Sequence, residues 1–168
     1  MTTSGAPVAT VTTIGYEGAT VDGFLAALQA ADIDLLVDVR ALAMSRRPGF
    51  AKSRLAAALA GAGIGYHHLR ALGTPADGRA AARAGRHAAM RAIYAEQLAT
   101  PGAQAALGEL AGLVRAGHRV CLLCFEAAPA HCHRSLVAAA LATLVPVEVA
   151  HLTPVDPLPG DVPRAAGA

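Results

Sequence analysis

The chain has no tryptophan, a single lysine and only three cysteines, and each scarcity argues against a class of protein. Three Phe and three Tyr leave few large side chains for a core. Hydrophobic residues make up 54% of the composition, but the alanine-rich runs at 56–60, 80–84 and 138–142 supply much of that and are only weakly apolar. Leu, Ile and Val carried by strands must therefore provide most of the packing. An odd number of cysteines, with no secretory signal at Met1-Thr2-Thr3-Ser4, argues against a disulfide framework and makes a reducing cytoplasm the expected compartment. The longest apolar stretch, Leu136 to Val147, falls far short of the ~20 residues a bilayer span needs, so no membrane partner is expected.

Every cation other than Lys52 is an arginine, a bias that gene base composition accounts for. A functional reading is reserved for arginines beside other site-like residues, where the guanidinium fork suits phosphate or carboxylate. The net charge of +2 does not mark a nucleic-acid binder, so that partner is disfavoured. No internal repeat, Walker loop or GxGxxG is present.

What remains is a chain of 168 residues, the size of one domain, expected over 7–153. The tail over 154–168, with Pro154, Pro157, Pro159 and Pro163, is expected to be disordered. Val8–Ile14 reads as a strand stopped at Gly15, and Thr20 as the N-cap of a helix bearing Val21, Phe24, Leu25 and Leu28. The continuous apolar run Leu35–Val39 reads as a strand buried on both faces. Ser53 is placed as the cap of a helix over 54–60, and Ile64–His68 as a weaker strand. Residues 72–85 carry no decisive pattern. Helices are expected over 86–98, after Thr100-Pro101, and from His133 to Leu144; the clearest strand is Arg119–Phe125 and the last is Val147–Leu152. Alternating strands and helices predict a three-layer α/β fold of the Rossmann-like or flavodoxin-like class, with a mostly parallel sheet of about five strands. Ligands of such sheets bind beyond the carboxyl ends of the strands.

Three strand ends carry unusual residues. Gly15-Tyr16-Glu17-Gly18 permits a tight turn before a helix N-terminus, where free N–H groups attract anions; a plain strand-to-helix turn is the alternative. Asp38 and Arg40 flank Val39 and point the same way, and Ser45, Arg46, Arg47 and Lys52 follow in a loop broken by Gly and Pro, suited to anion contact. Here the alternative is an Asp38–Arg40 structural pair with a solvated basic loop. The sharpest signal is Cys124-x-Glu126, followed by Cys132-His133-Arg134 at a helix start. A first-turn cysteine has its thiolate stabilised by the helix dipole, with Arg134 assisting. Cys121, inside the strand, reads as core. Cys124, Cys132 and His133 (or His131) give three soft ligands for zinc or iron, with Glu126 as a fourth. A phosphatase or rhodanese loop needs arginine six residues after cysteine, but Cys124 meets Ala130 and Cys132 meets Ala138. A reversible Cys124–Cys132 disulfide stays open, as does a purely structural Glu126–Arg134 pair. His67 and His68 suit a surface or packing role, and His87, His118 and His151 have no persuasive context.

Together, Thr13-Ile14-Gly15-Tyr16-Glu17-Gly18, Val37-Asp38-Val39-Arg40, Ser45-Arg46, Gly49-Phe50-Ala51-Lys52, Tyr66-His67-His68-Leu69, Leu72-Gly73 and Cys124-Phe125-Glu126 with Cys132-His133-Arg134 resemble domain-of-unknown-function family 488. The resemblance runs from about Val11 to Leu144. Ala43-Met44 stands before Ser45 where the family pattern commonly has proline. The resemblance implies an α/β fold and a shared site, and no activity.

The leading expectation is an enzyme for a small anionic ligand, a nucleotide or phosphorylated metabolite. Gly15, Tyr16, Glu17, Arg40, Ser45, Arg46, Lys52 and Arg134 would bind it, Glu126 or Asp38 would serve as acid or base, and Cys124, Cys132 and His133 would supply the reacting or metal-binding groups. A metal- or redox-responsive Cys/His binding module without catalysis is the first alternative, and a nucleic-acid contact protein the second.

Overall fold

In the computed structural model, which describes Gly5 and residues 7–155, five strands form: β1 (Ala9–Gly15), β2 (Leu35–Asp38), β3 (Gly65–His68), β4 (Val120–Cys124) and β5 (Val147–Leu152). They make one all-parallel sheet in the order β3-β2-β4-β1-β5. The helices are α1 (Val21–Ala30), α2 (Lys52–Gly61), α3 (Ala76–Arg83), α4 (His87–Leu98), α5 (Pro101–Arg115) and α6 (Arg134–Ala142), with 3-10 turns at Arg70–Leu72 and Pro129–His131. No helix among the described residues is long and apolar enough to cross a membrane.

The hydrophobic pattern accounts for the layering. β4 lies in the middle of the sheet and every one of its residues is buried, as a strand covered on both faces requires. Its side chains alternate. Val120 and Leu122 join Val11 and Val37 against α4, α5 and α6, whereas Cys121 and Leu123 join Ile14 and Leu36 against α1 and α2. The crossovers β1→β2 and β2→β3 run toward one edge of the sheet, and β3→β4 and β4→β5 toward the other. Crossovers of a single hand must then put α1 and α2 on one face and α3 to α6 on the opposite one. Hence the loops leaving the neighbouring strands β1 and β4 part to opposite faces, and a crevice opens between them.

Thr20 caps α1, its Oγ1 accepting from the Gly23 N–H at 3.1 Å, and Thr100 caps α5 ahead of Pro101. Ser53 is not a cap. The Lys52 N–H is bound to the Ala43 carbonyl at 2.9 Å, so α2 starts earlier, from an N-cap at Ala51. The undecided stretch 72–85 holds α3, an amphipathic helix too alanine-rich for its apolar face to stand out. Of the proline-rich tail, Pro154 and Val155 are placed, and the Val155 N–H donates to the Gly23 carbonyl at 2.9 Å; the rest lies outside the described residues.

Candidate functional site

The ends of β1, β2 and β4 share one rim, as parallel pairing demands: Gly15 lies beside Cys124, and Asp38 beside Leu123. The pairing continues past the strands, with the Tyr16 and Glu17 N–H groups donating to the carbonyls of Cys124 and Phe125 at 3.3 and 2.8 Å. Gly15 is required by the close approach of the loop after β4. A Cβ there would overlap the Glu126 carbonyl and crowd the Arg134 guanidinium.

On the α6 face of the rim, Cys124 and Cys132 are joined as a disulfide, leaving Cys121 as the free cysteine among the described residues. His133 is buried beside them. Its Nδ1 lies 3.4 Å from the Cys124 sulfur and 3.8 Å from that of Cys132, while its Nε2 is 2.7 Å from the Val39 carbonyl. A carbonyl can only accept, so the proton of the neutral ring sits on Nε2 and the Nδ1 lone pair faces the two sulfurs. Glu126 Oε2 is 3.1 Å from the Cys124 sulfur. One ligand atom from each of Cys124, Cys132 and His133 falls within 4.8 Å of the others, so once the disulfide is reduced the three could hold a metal ion. Cys132 is not in the first turn of α6. It precedes that turn, and its sulfur takes the Arg134 N–H at 3.5 Å, the place of a cap.

On the α1/α2 face, Asp38 and Arg40 form a buried bidentate pair, with Nε–Oδ1 at 2.9 Å and Nη2–Oδ2 at 2.7 Å. Asp38 also accepts from the Arg40 N–H at 3.1 Å and the Tyr66 hydroxyl at 2.5 Å. Arg40 Nη1 donates to the Phe50 carbonyl at 2.8 Å and the Tyr16 hydroxyl at 3.3 Å. The structural pair offered as the alternative is thus what forms, and Asp38 has no lone pair to spare for acid–base work.

Arg134 is fully buried and does not face a ligand space. Its Nε donates to Thr13 Oγ1 at 3.0 Å, Nη1 to the Glu126 carbonyl and Nη2 to the Ala127 carbonyl at 3.1 Å, so it clamps the loop after β4 onto β1. It meets the Glu126 backbone rather than its carboxylate, which excludes the side-chain pair suggested by the sequence.

A cavity of about 290 Å³ lies over the rim, lined by Cys124, Glu126, His133, Tyr16, Arg40, Thr74, Arg79, Arg83, Met90 and His131, with Leu42, Met44 and Phe125 at its mouth. Cys132 does not line it. Arg46 and Lys52 are exposed and also lie outside the lining, and Ser45 is spent on its own loop, accepting the Arg47 N–H at 3.1 Å. Glu17 is exposed and accepts the Ala127 N–H at 3.0 Å. His68 donates to the Arg40 carbonyl, and His67 pairs with Glu109.

The sequence reading missed Arg79, Arg83, Met90 and Tyr94, whose ring sits 5.1 Å from that of His133. The spacing of Arg79 and Arg83, one turn apart, is a signal that was there to be used. It also missed the face-to-face stack of His87 on His131, with ring centroids 4.1 Å apart.

Burial dominates the electrostatics. It raises the Glu126 carboxyl above its ordinary value, against the lowering influence of Arg134, and pushes the Cys121 thiol up to about 12. Burial, aided by the charge of Arg134, pushes His133 down to about 4. An unfolded histidine near 6.5 binds its proton first, so folding stability is complete above that value and falls as pH drops through about 4. With chelator present, the chain should lose on the order of 3 kcal/mol between pH 7 and pH 4 from this group alone. In denaturant melts, the stability lost between pH 7 and pH 4 should be smaller by about that much in His133→Gln than in the native chain.

Residues 20–141 match the family model described as Domain of unknown function DUF488. No curated protein and no solved structure matches the chain.

Proposed function

Because the chain belongs to the DUF488 family, whose description names no activity, we propose its function from the site itself: a thiol-dependent enzyme acting on a small anionic ligand, with Cys124 as the reacting group. One observation carries this reading. Cys124 presents its sulfur to the cavity while the free nitrogen of His133 and the carboxyl of Glu126 approach the same atom, at 3.4 and 3.1 Å. After reduction, His133 Nδ1 is placed to take the thiol proton, and the Val39 carbonyl holds the ring in the tautomer that leaves Nδ1 free. Glu126, its carboxyl pushed toward the neutral form by burial, serves as an acid for a leaving group. Arg40, Arg79 and Arg83 give the cavity its cationic character; Arg40 is balanced by Asp38 behind the lining, the other two have no ion-pair partner among the described residues, and Glu126 is the one carboxylate in the lining.

The test compares two alkylating agents that differ in charge. Iodoacetate should modify Cys124 of the reduced chain several-fold faster than iodoacetamide, since a cationic cleft concentrates anions. Peptide mass spectrometry locates the label. An unreactive Cys124, or an order favouring the neutral reagent, overturns the proposal.

A second reading, zinc or iron held by Cys124, Cys132 and His133, is favoured by the same Nδ1 lone pair and by its carbonyl-bound Nε2, the arrangement usual for a ligating histidine. Stoichiometric metal in protein purified without chelator, lost on Cys132→Ser, would replace the first reading with this one.

A further inference from the structure

Two features of the cavity are left unused by a simple nucleophile: a second sulfur in bonding contact with the first, and a pair of arginines on one helix face. A lone nucleophilic thiol needs no partner for acyl or alkyl transfer. Here Cys132 is bonded to Cys124, and only Cys124 lines the ligand space. That asymmetry separates an attacking sulfur from a resolving one. We infer that the site exchanges with a small disulfide carrying carboxylate groups, which Arg79 and Arg83 recognise; this deepens the thiol-enzyme reading and rests on it.

The exchange balances without another reagent. The Cys124 thiolate attacks one sulfur of the substrate disulfide, whose S–S bond breaks and whose other half leaves as a thiolate that takes up a proton. The mixed disulfide on Cys124 is then attacked by the Cys132 thiolate. The Cys124–Cys132 bond forms and the second half of the substrate leaves as a thiol. In total, one protein dithiol is oxidised and one disulfide is reduced to two thiols. Two molecules of a small thiol reverse the sequence and regenerate the dithiol.

The charge preference comes from α3. Arg79 Nη1 donates to the Thr74 carbonyl at 2.8 Å, which fixes the fork at the cavity wall and leaves its remaining donors free for a carboxylate. Arg83, one turn further on, lines the same wall and is exposed. Neither is ion-paired among the described residues. The same lining includes Met90 and the exposed Leu42 and Met44, apolar surface suited to the aliphatic spacer between a disulfide and its carboxylate.

Three disulfides of similar size provide the test: 3,3′-dithiodipropionate (two negative charges), 2-hydroxyethyl disulfide (neutral) and cystamine (two positive charges). With reduced Cys132→Ser protein, intact-mass spectrometry should show a mixed disulfide on Cys124, forming roughly tenfold or more faster with the dianion than with the dication. Reduced native protein should instead release two thiols and retain no adduct. The Arg79→Gln/Arg83→Gln protein, and Arg83→Gln alone as the milder variant, should shrink the charge preference while melting as the native chain does. Loss of that order in the native chain, an unchanged order in the arginine variants, or equal labelling of Cys132 in Cys124→Ser protein overturns the inference. Iodoacetate labelling on the same preparations separates the two levels. If Cys124 still favours iodoacetate but ignores all three disulfides, the disulfide substrate is wrong and the thiol-enzyme reading survives. If it reacts with neither, both fall.

Discussion

Replacing Arg134 by alanine is expected to lower the unfolding free energy by about 3–5 kcal/mol, among the largest single effects available in this chain. The guanidinium has no exposed surface, and it satisfies Thr13 Oγ1 and the carbonyls of Glu126 and Ala127 at once. Deleting it leaves carbonyls turned inward without a donor, each costing about 1–3 kcal/mol, and a void where a long side chain was. Because those carbonyls belong to the loop after β4, the loss also frees Glu126 from its approach to Cys124. Arg134→Lys tests the geometry separately from the charge. A single ammonium cannot span three acceptors set around a planar fork, so it should recover less than half of the loss. Denaturant melts measure both variants, and a cost below about 1 kcal/mol for Arg134→Ala would show that the loop holds without its clamp.

Arg134 also shows where a sequence stops being informative. Its place at a helix start beside two cysteines suggested a hand reaching out to an anion. Helical side chains, however, tilt toward the N-terminus, and from the first residue of α6 that direction leads back beneath the loop to Thr13 on β1. The sheet itself was legible because its signals are local. The run at Val147–Leu152 became β5 with the same ends, and the run Leu35–Val39 became β2, one residue shorter at Leu35–Asp38. Parallel pairing then brought Gly15, Asp38 and Cys124 to one rim with no further information. Cys124, Glu126 and His133 were named from sequence and do meet. Arg46 and Lys52 were named on the same reasoning and lie outside the cavity, since a run of cations records charge and not direction. Of the arginines that do line it, Arg40 was named from sequence, whereas Arg79 and Arg83 sit on a helix of alanine and glycine whose weak apolar pattern hid both the helix and the face they share.

Asp38 supports the opposite wall of the site, and Asp38→Ala is expected to cost about 3–5 kcal/mol. The mechanism differs from that of Arg134. Burial alone would lower the Arg40 pKa, but the hydrogen bonds and charge of Asp38 outweigh it and hold the guanidinium firmly ionised. Without the carboxylate, a cation with 6% of its surface exposed would stay charged with no counter-ion, and the Tyr66 hydroxyl would lose its acceptor as well. Breaking one side of such a pair is costly, whereas replacing both sides with apolar groups of similar volume is often neutral. The double variant Asp38→Leu/Arg40→Met should therefore regain most of the stability lost in Asp38→Ala. It should prefer iodoacetate less than the native chain does, because Arg40 lines the cavity and the Met would leave Tyr16 without its donor. Stability restored alongside weakened anion preference assigns the pair two separable jobs, holding β2 to Phe50 and Tyr66 and presenting the Arg40 guanidinium to the cleft. A double variant as unstable as Asp38→Ala would mean that the hydrogen bonds from Arg40 to Phe50 and Tyr16, and not the ion pair, hold this wall together.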